Sequence, residues 1–130
     1  MSKKRILVVE DHSITRRSLM ALLTSKWPEF AVEGARNGRE AVDKVTAHPP
    51  DAIVMDLIMP HLDGAKATRE IKAQWPEIKI IILILDPNQG QQALQAGADA
   101  YMLKEGDPGE LLALISELGL PDSESGDLNK

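Results

Sequence analysis

The chain has 130 residues, a net charge of -5 and a hydrophobic fraction of 43%, which suit one domain built around one core. The acidic balance argues against a chain that by itself binds nucleic acid or an anionic membrane surface. Cysteine is absent, which excludes disulfide and thiol chemistry and fits a cytoplasmic protein. The apolar run Ile6–Val9 is too short for a signal peptide or a membrane span.

The first part of the chain predicts two strands separated by a helix. Strand 1 is expected at about residues 5–9 and strand 2 at about residues 30–35. Strand 2 is the less apolar of the two, so we place it at an edge of the sheet. Helix 1 carries Ile14 on its apolar side and stops at Trp27-Pro28, because the residue before a proline disfavours helical backbone.

The middle of the chain continues the alternation of strands and helices. Asn37 followed three residues later by Glu40 predicts the start of helix 2. Strand 3 is expected at about residues 52–56, and Asp63 is expected to cap a third helix at about residues 64–75.

The last part begins with the most apolar run, predicted as strand 4 at residues 80–85. A short helix 4 at about 91–96 and strand 5 at 100–103 follow it, and Asp107 is expected to cap helix 5. Strands that alternate with helices predict an α/β fold, a flavodoxin-like, doubly wound, five-stranded parallel sheet in the order 2-1-3-4-5 with five helices. We expect one domain over residues 1–120, and a disordered tail or the start of a linker over the polar residues 121–130.

Charged side chains stand where three of these strands end. Asp56 ends strand 3, Glu10-Asp11 follow strand 1, and Lys104 follows strand 5. Open α/β sheets place their sites at the carboxyl ends of the strands, so these groups are expected in one crevice. Nearby carboxylates repel one another unless a cation joins them, and Mg²⁺ prefers oxygen ligands of this kind. An ionised Asp can attack a phosphoryl group, and an ammonium group can neutralise the charge that is transferred.

Three segments together resemble the receiver domain of bacterial two-component response regulators. They are Val9-Glu10-Asp11-His12, Asp56-Leu57-Ile58-Met59-Pro60 with Asp63-Gly64, and Gly97-Ala98-Asp99-Ala100-Tyr101-Met102-Leu103-Lys104. The resemblance covers about residues 4–118 and implies a phosphorylated signalling module with no enzymatic activity beyond its own phosphorylation and dephosphorylation. It also implies a phosphohistidine donor, on a sensor histidine kinase or a phosphotransfer protein, and dimerisation through helix 4, strand 5 and helix 5.

The resemblance assigns a role to several residues by position. Asp56 matches the phosphoacceptor, and Lys104 matches the lysine that pairs with the phosphoryl group. Glu10 and Asp11 match the acidic pair that holds Mg²⁺, with the backbone carbonyl of Ile58 as a further ligand. Tyr101 matches the aromatic residue whose rotamer reports activation.

The sequence departs from the family at the switch. Ile84 occupies the position of a Thr or Ser whose hydroxyl binds the phosphoryl group, and Leu85 follows where a small residue is usual. The segment from Ile84 to Gly97 is also shorter than expected. A charge-assisted hydrogen bond is worth about 1.5–3 kcal/mol, so we expect switching through Thr and Tyr to be weak or rerouted.

Other functions remain open at this point. The same fold can serve as a pseudo-receiver, a binding module that does not respond to phosphorylation. A phosphatase with an aspartyl nucleophile usually has a second acid where this chain has Ile58. Flavin binding is disfavoured because the loop after strand 1 is acidic where a phosphate cradle is needed. His12 is either a metal ligand or, as we favour, an exposed loop histidine.

Overall fold

A computed structural model of the protein describes residues 3–59 and 61–120. The strands are β1 Arg5–Val9, β2 Ala31–Ala35, β3 Ala52–Asp56, β4 Lys79–Ile84 and β5 Ala100–Leu103. The helices are α1 Ser13–Lys26, α2 Gly38–Ala47, α3 Gly64–Gln74, α4 Gly90–Ala96 and α5 Pro108–Glu117. The five strands pair in parallel in the order β2-β1-β3-β4-β5, which confirms the predicted architecture and the edge position of β2. The predicted tail, 121–130, lies outside the described residues.

The core lies on both faces of the sheet, because successive side chains of a strand point to opposite sides. On one face, β-strand residues such as Val9, Met55 and Ile82 pack with the apolar sides of α2, α3 and α4. On the other face, residues such as Val8 and Val54 pack with α1 and α5. Every residue of β3 is buried, as expected for a central strand that is covered on both sides. None of the helices described here combines the length and the apolar run that crossing a bilayer would need.

Three helices begin at the side-chain caps that the sequence predicts. The Oδ1 atom of Asn37 accepts a hydrogen bond from the Glu40 N–H at 2.8 Å, and that of Asp63 accepts one from the Lys66 N–H at 2.9 Å. Asp107 does the same for the Gly109 N–H at 3.0 Å. Such caps satisfy N–H groups that have no partner within the helix, and each stabilises by about 1 kcal/mol.

The predicted end of β4 is wrong by one residue. The strand stops at Ile84, and Leu85 lies beyond it with its N–H bonded to Oε1 of Gln89 at 3.0 Å. Gln89 belongs to a short 3-10 helix, Pro87–Gln89, that the sequence analysis did not predict and that Asp86 caps. The strand therefore ends because a side chain of the following turn takes the hydrogen bond that a strand neighbour would otherwise provide.

Smaller differences concern β2, α3 and α1. Phe30 lies outside β2 because its N–H bonds to the carbonyl of Trp27, on whose ring it stacks. Trp75 is the C-cap of α3 rather than its last residue. Ile14 was predicted on the apolar side of α1 but is exposed. It lies in the first turn of that helix.

Candidate functional site

The strand register brings the predicted charged residues to one edge of the sheet. Val9 pairs with Met55, Asp56 with Leu83, and Ile84 with Leu103. The carboxyl ends of four neighbouring strands are therefore nearly level. Glu10 and Lys104 directly follow β1 and β5, so both stand at this edge, beside Asp56 at the end of β3.

Lys104 joins two carboxylates across the sheet. Its Nζ lies 2.8 Å from Oδ2 of Asp56 and 2.9 Å from Oε1 of Glu10. Glu10 is fully buried and Asp56 is 4% exposed, while the Lys104 side chain is partly buried. Oε2 of Glu10 accepts a hydrogen bond from the His12 N–H at 3.1 Å. The two carboxylates are thus held in place by a cation from β5 and by the first turn of the loop after β1.

Burial and neighbouring charges shift the pKa values of these groups in different directions. Burial, together with the negative charge of Glu10, raises the pKa of Asp56 to about 7 despite its hydrogen bond from Lys104. Burial alone would raise the pKa of Glu10, but the Lys104 ammonium and the His12 N–H lower it below its ordinary value. Burial opposes the charge on Lys104, but Asp56 and Glu10 raise the pKa of its ammonium group. In the absence of another cation, Asp56 is therefore the carboxyl whose ionised form is destabilised by burial and by the neighbouring charge of Glu10.

The donor set fits Mg²⁺. One carboxylate oxygen each from Glu10, Asp11 and Asp56 lie within 4.8 Å of one another, and Asp11 is exposed. Oε1 of Glu10 is buried and, among the described residues, receives no well-directed hydrogen bond, although Lys104 lies close to it. A hard divalent ion that keeps several waters suits a cluster of this charge and openness.

A cavity of about 240 Å³ opens over Asp56. It is lined by charged, polar and apolar residues from strand ends and the loops that follow them: Asp11, His12, Asp56, Ile58, Leu83, Leu85 and Lys104. Ile58, whose carbonyl is predicted as a metal ligand, belongs to this lining. His12 is exposed, is the N-cap of α1 and lines the cavity, so its expected position in an exposed loop is correct.

Ile84 is not among the residues that line this cavity. It is 1% exposed and packs in the core cluster on the side of α2, α3 and α4, whereas its neighbours Leu83 and Leu85 line the cavity. Sequence reasoning noted Leu85 and missed Leu83. The signal available in the sequence was the alternation of side chains along a strand, which puts Leu83 on the same face as Leu85. In the structure, Leu83 pairs with Asp56.

Two glycines allow close contacts around the site. A Cβ atom on Gly64 would collide with the carbonyl oxygen of Asp56 and lie 2.8 Å from Cα of Leu57, so α3 can start against the backbone of the site only with glycine here. A Cβ atom on Gly90 would lie 2.6 Å from Cε1 of Tyr101. The ring of Tyr101, which is partly exposed, therefore packs directly on the first turn of α4.

Residues 6–116 match the family model described as the response regulator receiver domain. The chain belongs to this family. Receivers of this family are signalling modules of two-component systems rather than classical enzymes. The fold and the resemblance expected from the sequence are both confirmed by this match and by the relatives below.

Curated relatives of the receiver include a transcriptional regulatory protein and a response regulator. It is 32% identical over 117 residues to the transcriptional regulatory protein DegU of Brevibacillus brevis, covering 88% of this chain and 49% of that protein. It is 36% identical over 128 residues to the response regulator MprA of Mycolicibacterium vanbaalenii, covering 95% of this chain and 54% of that protein. The chain thus spans about half the length of the curated relatives it matches.

Solved structures give the same result. A two-component response regulator of the LuxR family from Aurantimonas sp. SI85-9A1 superposes with a TM-score of 0.80 at 34% identity, over 90% of this chain and 85% of that one. The chemotaxis response regulator CheY4 of Vibrio cholerae superposes with a TM-score of 0.82 at 25% identity, over 90% of this chain and 99% of that one. The receiver therefore shares its architecture with a chemotaxis response regulator as well as with a response regulator of the LuxR family.

Proposed function

We propose that this receiver accepts a phosphoryl group on Asp56 from a phosphohistidine of a sensor histidine kinase or a phosphotransfer protein, and that phosphorylation changes its partner binding. The observation that carries the proposal is the position of the Lys104 ammonium, 2.8 Å from Asp56 and 2.9 Å from Glu10 at the open edge of the sheet. This arrangement provides a nucleophile and a fixed positive charge beside it, which phosphoryl transfer mainly requires.

The chemistry at Asp56 is a displacement at phosphorus. An ionised oxygen of Asp56 forms a bond to phosphorus as the bond between phosphorus and the donor's imidazole nitrogen breaks, and that nitrogen keeps the electron pair. Lys104 would hold a phosphoryl oxygen. Glu10, Asp11, Asp56 and the carbonyl of Ile58 would hold Mg²⁺, which when bound supplies positive charge that offsets that of the phosphoryl oxygens.

The pKa of Asp56, raised to about 7 without a metal, has a consequence for this reaction. The protonated carboxyl is a poor nucleophile, so the metal-free protein would react slowly below neutral pH. A cation near Asp56 favours the ionised form, so the Mg²⁺ ligands Glu10 and Asp11 would also keep the nucleophile charged.

A second proposal concerns assembly. Leu94 of α4 and Tyr101 and Leu103 of β5 are large apolar side chains that remain exposed on neighbouring elements. We propose that this face, formed by α4, β5 and α5, binds a second copy of the receiver when Asp56 is phosphorylated. The relatives named as transcriptional regulators are longer than this chain, and any output beyond the receiver is likewise a proposal.

The test of phosphorylation is the intact mass of the protein after incubation with Mg²⁺ and acetyl phosphate. We expect a phosphate-sized increment that is absent in Asp56→Asn and absent without Mg²⁺. Asp43→Asn, an exposed acid of α2, is the matched control and should keep the increment.

If the folded wild type takes no phosphate from acetyl phosphate or from a phosphohistidine donor, the proposal is wrong. The pseudo-receiver, a binding module that does not respond to phosphorylation, would then replace it.

A further inference from the structure

Arg16 of α1 is hydrogen-bonded to both ends of the short loop that carries two acids of the site. This loop runs from Glu10 to His12, between the end of β1 and the start of α1. The backbone N–H of Arg16 donates to the carbonyl of His12 at 2.9 Å. Its side-chain Nη1 donates to the carbonyl of Glu10 at 2.7 Å. One residue of α1 therefore holds the last and the first residue of the loop.

The carbonyl that Arg16 holds belongs to the peptide group that joins Glu10 to Asp11. A peptide group is planar, so a hydrogen bond to its oxygen limits how the whole group can turn. The bond is short and its donor is charged, which makes it stronger than a bond between neutral groups. Asp11 is exposed whereas Glu10 is buried, so the direction of the Asp11 carboxylate depends mainly on the backbone of this loop.

A glycine in the edge strand β2 makes room for the Arg16 side chain. A Cβ atom on Gly34 would lie 3.1 Å from Cδ of Arg16 and 2.9 Å from Sδ of Met20. The aliphatic part of Arg16 therefore lies against the backbone of β2, and the residue is only partly exposed. Gly34 pairs with Val8, close to the end of β1, so a side chain that crosses β2 at Gly34 reaches the Glu10 carbonyl.

We propose that Arg16 is a positioning residue for the divalent cation. By holding the peptide between Glu10 and Asp11, it keeps a carboxylate oxygen of Asp11 within 4.8 Å of those of Glu10 and Asp56. The inference rests on the proposed Mg²⁺ site and adds to it a residue that is not among the proposed ligands. Groups that hold metal ligands in place commonly set the affinity of a site for its metal.

The charge of Arg16 and its hydrogen bond have opposite effects on the cation. A guanidinium group repels a nearby divalent cation, so loss of the charge alone would strengthen Mg²⁺ binding. Loss of the hydrogen bond frees the peptide group, so Mg²⁺ binding must then order the loop and becomes weaker. The sign of the change in Mg²⁺ affinity therefore shows which effect is larger, and the proposal predicts weaker binding.

The experiment measures the Mg²⁺ dissociation constant by isothermal titration calorimetry, on protein from which a chelator has first removed metal. We expect Arg16→Ala to bind Mg²⁺ about tenfold more weakly than wild type, the lower end of the loss when a metal ligand loses its partner. Arg16→Lys keeps a charged donor and should recover part of the affinity. Arg17→Ala removes the same charge from the next, exposed residue of α1 and should bind Mg²⁺ as wild type does or slightly more tightly.

Gly34→Ala tests the same contact without removing Arg16. The new methyl group displaces the Arg16 side chain while its charge stays, so Mg²⁺ binding should weaken, by less than in Arg16→Ala. This variant keeps the test decisive if Arg16→Ala is poorly folded, which urea denaturation in chelator establishes for each protein. Wild-type Mg²⁺ affinity in a Gly34→Ala protein whose Arg16 signals have moved by NMR would contradict the proposal.

Phosphorylation by acetyl phosphate gives a second measurement. Its initial rate is followed by intact mass as the Mg²⁺ concentration rises. Arg16→Ala should need more Mg²⁺ to reach half of its maximal rate, and its rate at saturating Mg²⁺ should equal that of wild type. A lower maximal rate with an unchanged half-maximal Mg²⁺ concentration would contradict a role in positioning the cation.

The outcomes separate this inference from the proposed function. A folded wild type that binds no Mg²⁺ would overturn the metal site and the role of Arg16 together. Wild-type or tighter Mg²⁺ binding in Arg16→Ala would overturn the role of Arg16 and leave the metal site intact, as would an equal weakening in Arg17→Ala. A wild type that binds Mg²⁺ but takes no phosphate would overturn phosphorylation of Asp56, while the calorimetry would still decide the role of Arg16.

Discussion

At the scale of single residues, the charge state of the site depends on the burial of its carboxylates and on the charged groups next to them. Asp56 is nearly buried next to the fully buried Glu10, and one lysine serves both. A charge in such a position is stabilised only by its partners. The metal-free protein is therefore strained electrostatically at the place where Mg²⁺ would bind, and the strain should be visible in its stability.

We expect Asp56→Asn to stabilise the metal-free protein. The pKa of Asp56 is about 7 in the folded protein against an ordinary value of 3.8, so ionisation disfavours the fold. This penalty is absent below about pH 4, grows as the pH rises to 7, and is constant above. At about pH 8 with a chelator, the free energy of unfolding of Asp56→Asn should exceed that of wild type by about 1–3 kcal/mol, as measured by urea denaturation.

The gain from Asp56→Asn should shrink towards pH 4 and in the presence of Mg²⁺, which favours the ionised carboxylate. Asp43→Asn, in which an exposed acid is replaced, should show neither trend. An Asp56→Asn protein that is less stable than wild type at about pH 8 would contradict the raised pKa.

Both the burial of Ile84 and its apolar side chain keep it from contacting a phosphoryl group on Asp56. It is 1% exposed within the core cluster, and it has no hydroxyl to offer a phosphoryl group. We expect Ile84→Thr to lower the free energy of unfolding by about 1–3 kcal/mol more than Ile84→Val does, because threonine buries a polar group.

The phosphorylated protein tests whether the hydroxyl of the Ile84→Thr variant can reach the phosphoryl group on Asp56. If the hydroxyl of Ile84→Thr hydrogen-bonds the phosphoryl group, the difference in free energy of unfolding between Ile84→Thr and Ile84→Val should narrow in the phosphorylated protein. On phosphorylation, the amide NMR shifts of Ile84→Thr in the loop after β4 should also change more than those of wild type. Identical phosphorylation-induced shifts in Ile84→Thr and wild type would show that the missing hydroxyl does not weaken switching here.

At the scale of elements, α4 and β5 are joined through Tyr101 and Gly90. The first turn of α4 has no side chain at Gly90, and the ring of Tyr101 fills that space. Gly90, Ala93 and Ala96 are all buried, so α4 packs closely on its neighbours despite its seven residues. A movement of α4 would therefore move the ring of Tyr101.

We expect Gly90→Ala to displace the Tyr101 ring and to destabilise by about 1–3 kcal/mol, the usual cost of overpacking. Tyr101 is the only tyrosine of the chain, so its ring signals report the displacement by NMR without ambiguity. In the matched control Gly109→Ala, the nearest atom to the new methyl group is 3.5 Å away, and stability should be unchanged or slightly higher. Adding Tyr101→Ala to Gly90→Ala should recover part of the loss, and a Gly90→Ala protein with an unmoved ring would refute the contact.

At the scale of the whole molecule, the proposed dimer face is apolar and acidic. The helices α4 and α5 and the strand β5 contain no lysine or arginine, while α5 carries Glu110 and Glu117. Two copies that meet through this face bring like charges together. Association must then come from the exposed apolar side chains and must overcome repulsion.

We expect dimerisation of the phosphorylated receiver to strengthen with added salt, because the Debye length falls from about 30 Å at 0.01 M to about 8 Å at 0.15 M. Sedimentation velocity at the two ionic strengths measures the effect. Glu117→Gln should weaken the salt dependence, and Glu70→Gln, an exposed acid of α3, should leave it unchanged. A dimer that weakens with salt would point to a different face.

The amino-acid sequence by itself determined the elements and the candidate chemistry. Short continuous apolar runs, helix caps such as Asn37 and Asp107, and prolines located the strands and helices to within one or two residues. The charged residues at the carboxyl ends of β1, β3 and β5 identified the edge of the sheet that holds the candidate site. These features are local, so they can be read without knowing which strands pair.

Only the tertiary structure decided the relations between distant segments. Register and burial place one lysine between Glu10 and Asp56, raise the pKa of Asp56, and turn Ile84 into the core while Leu83 and Leu85 line the cavity. A side-chain hydrogen bond from the turn ends β4 before Leu85. The strand register and the burial depend on contacts between strands far apart in sequence, where a shift of one residue moves a side chain to the opposite face.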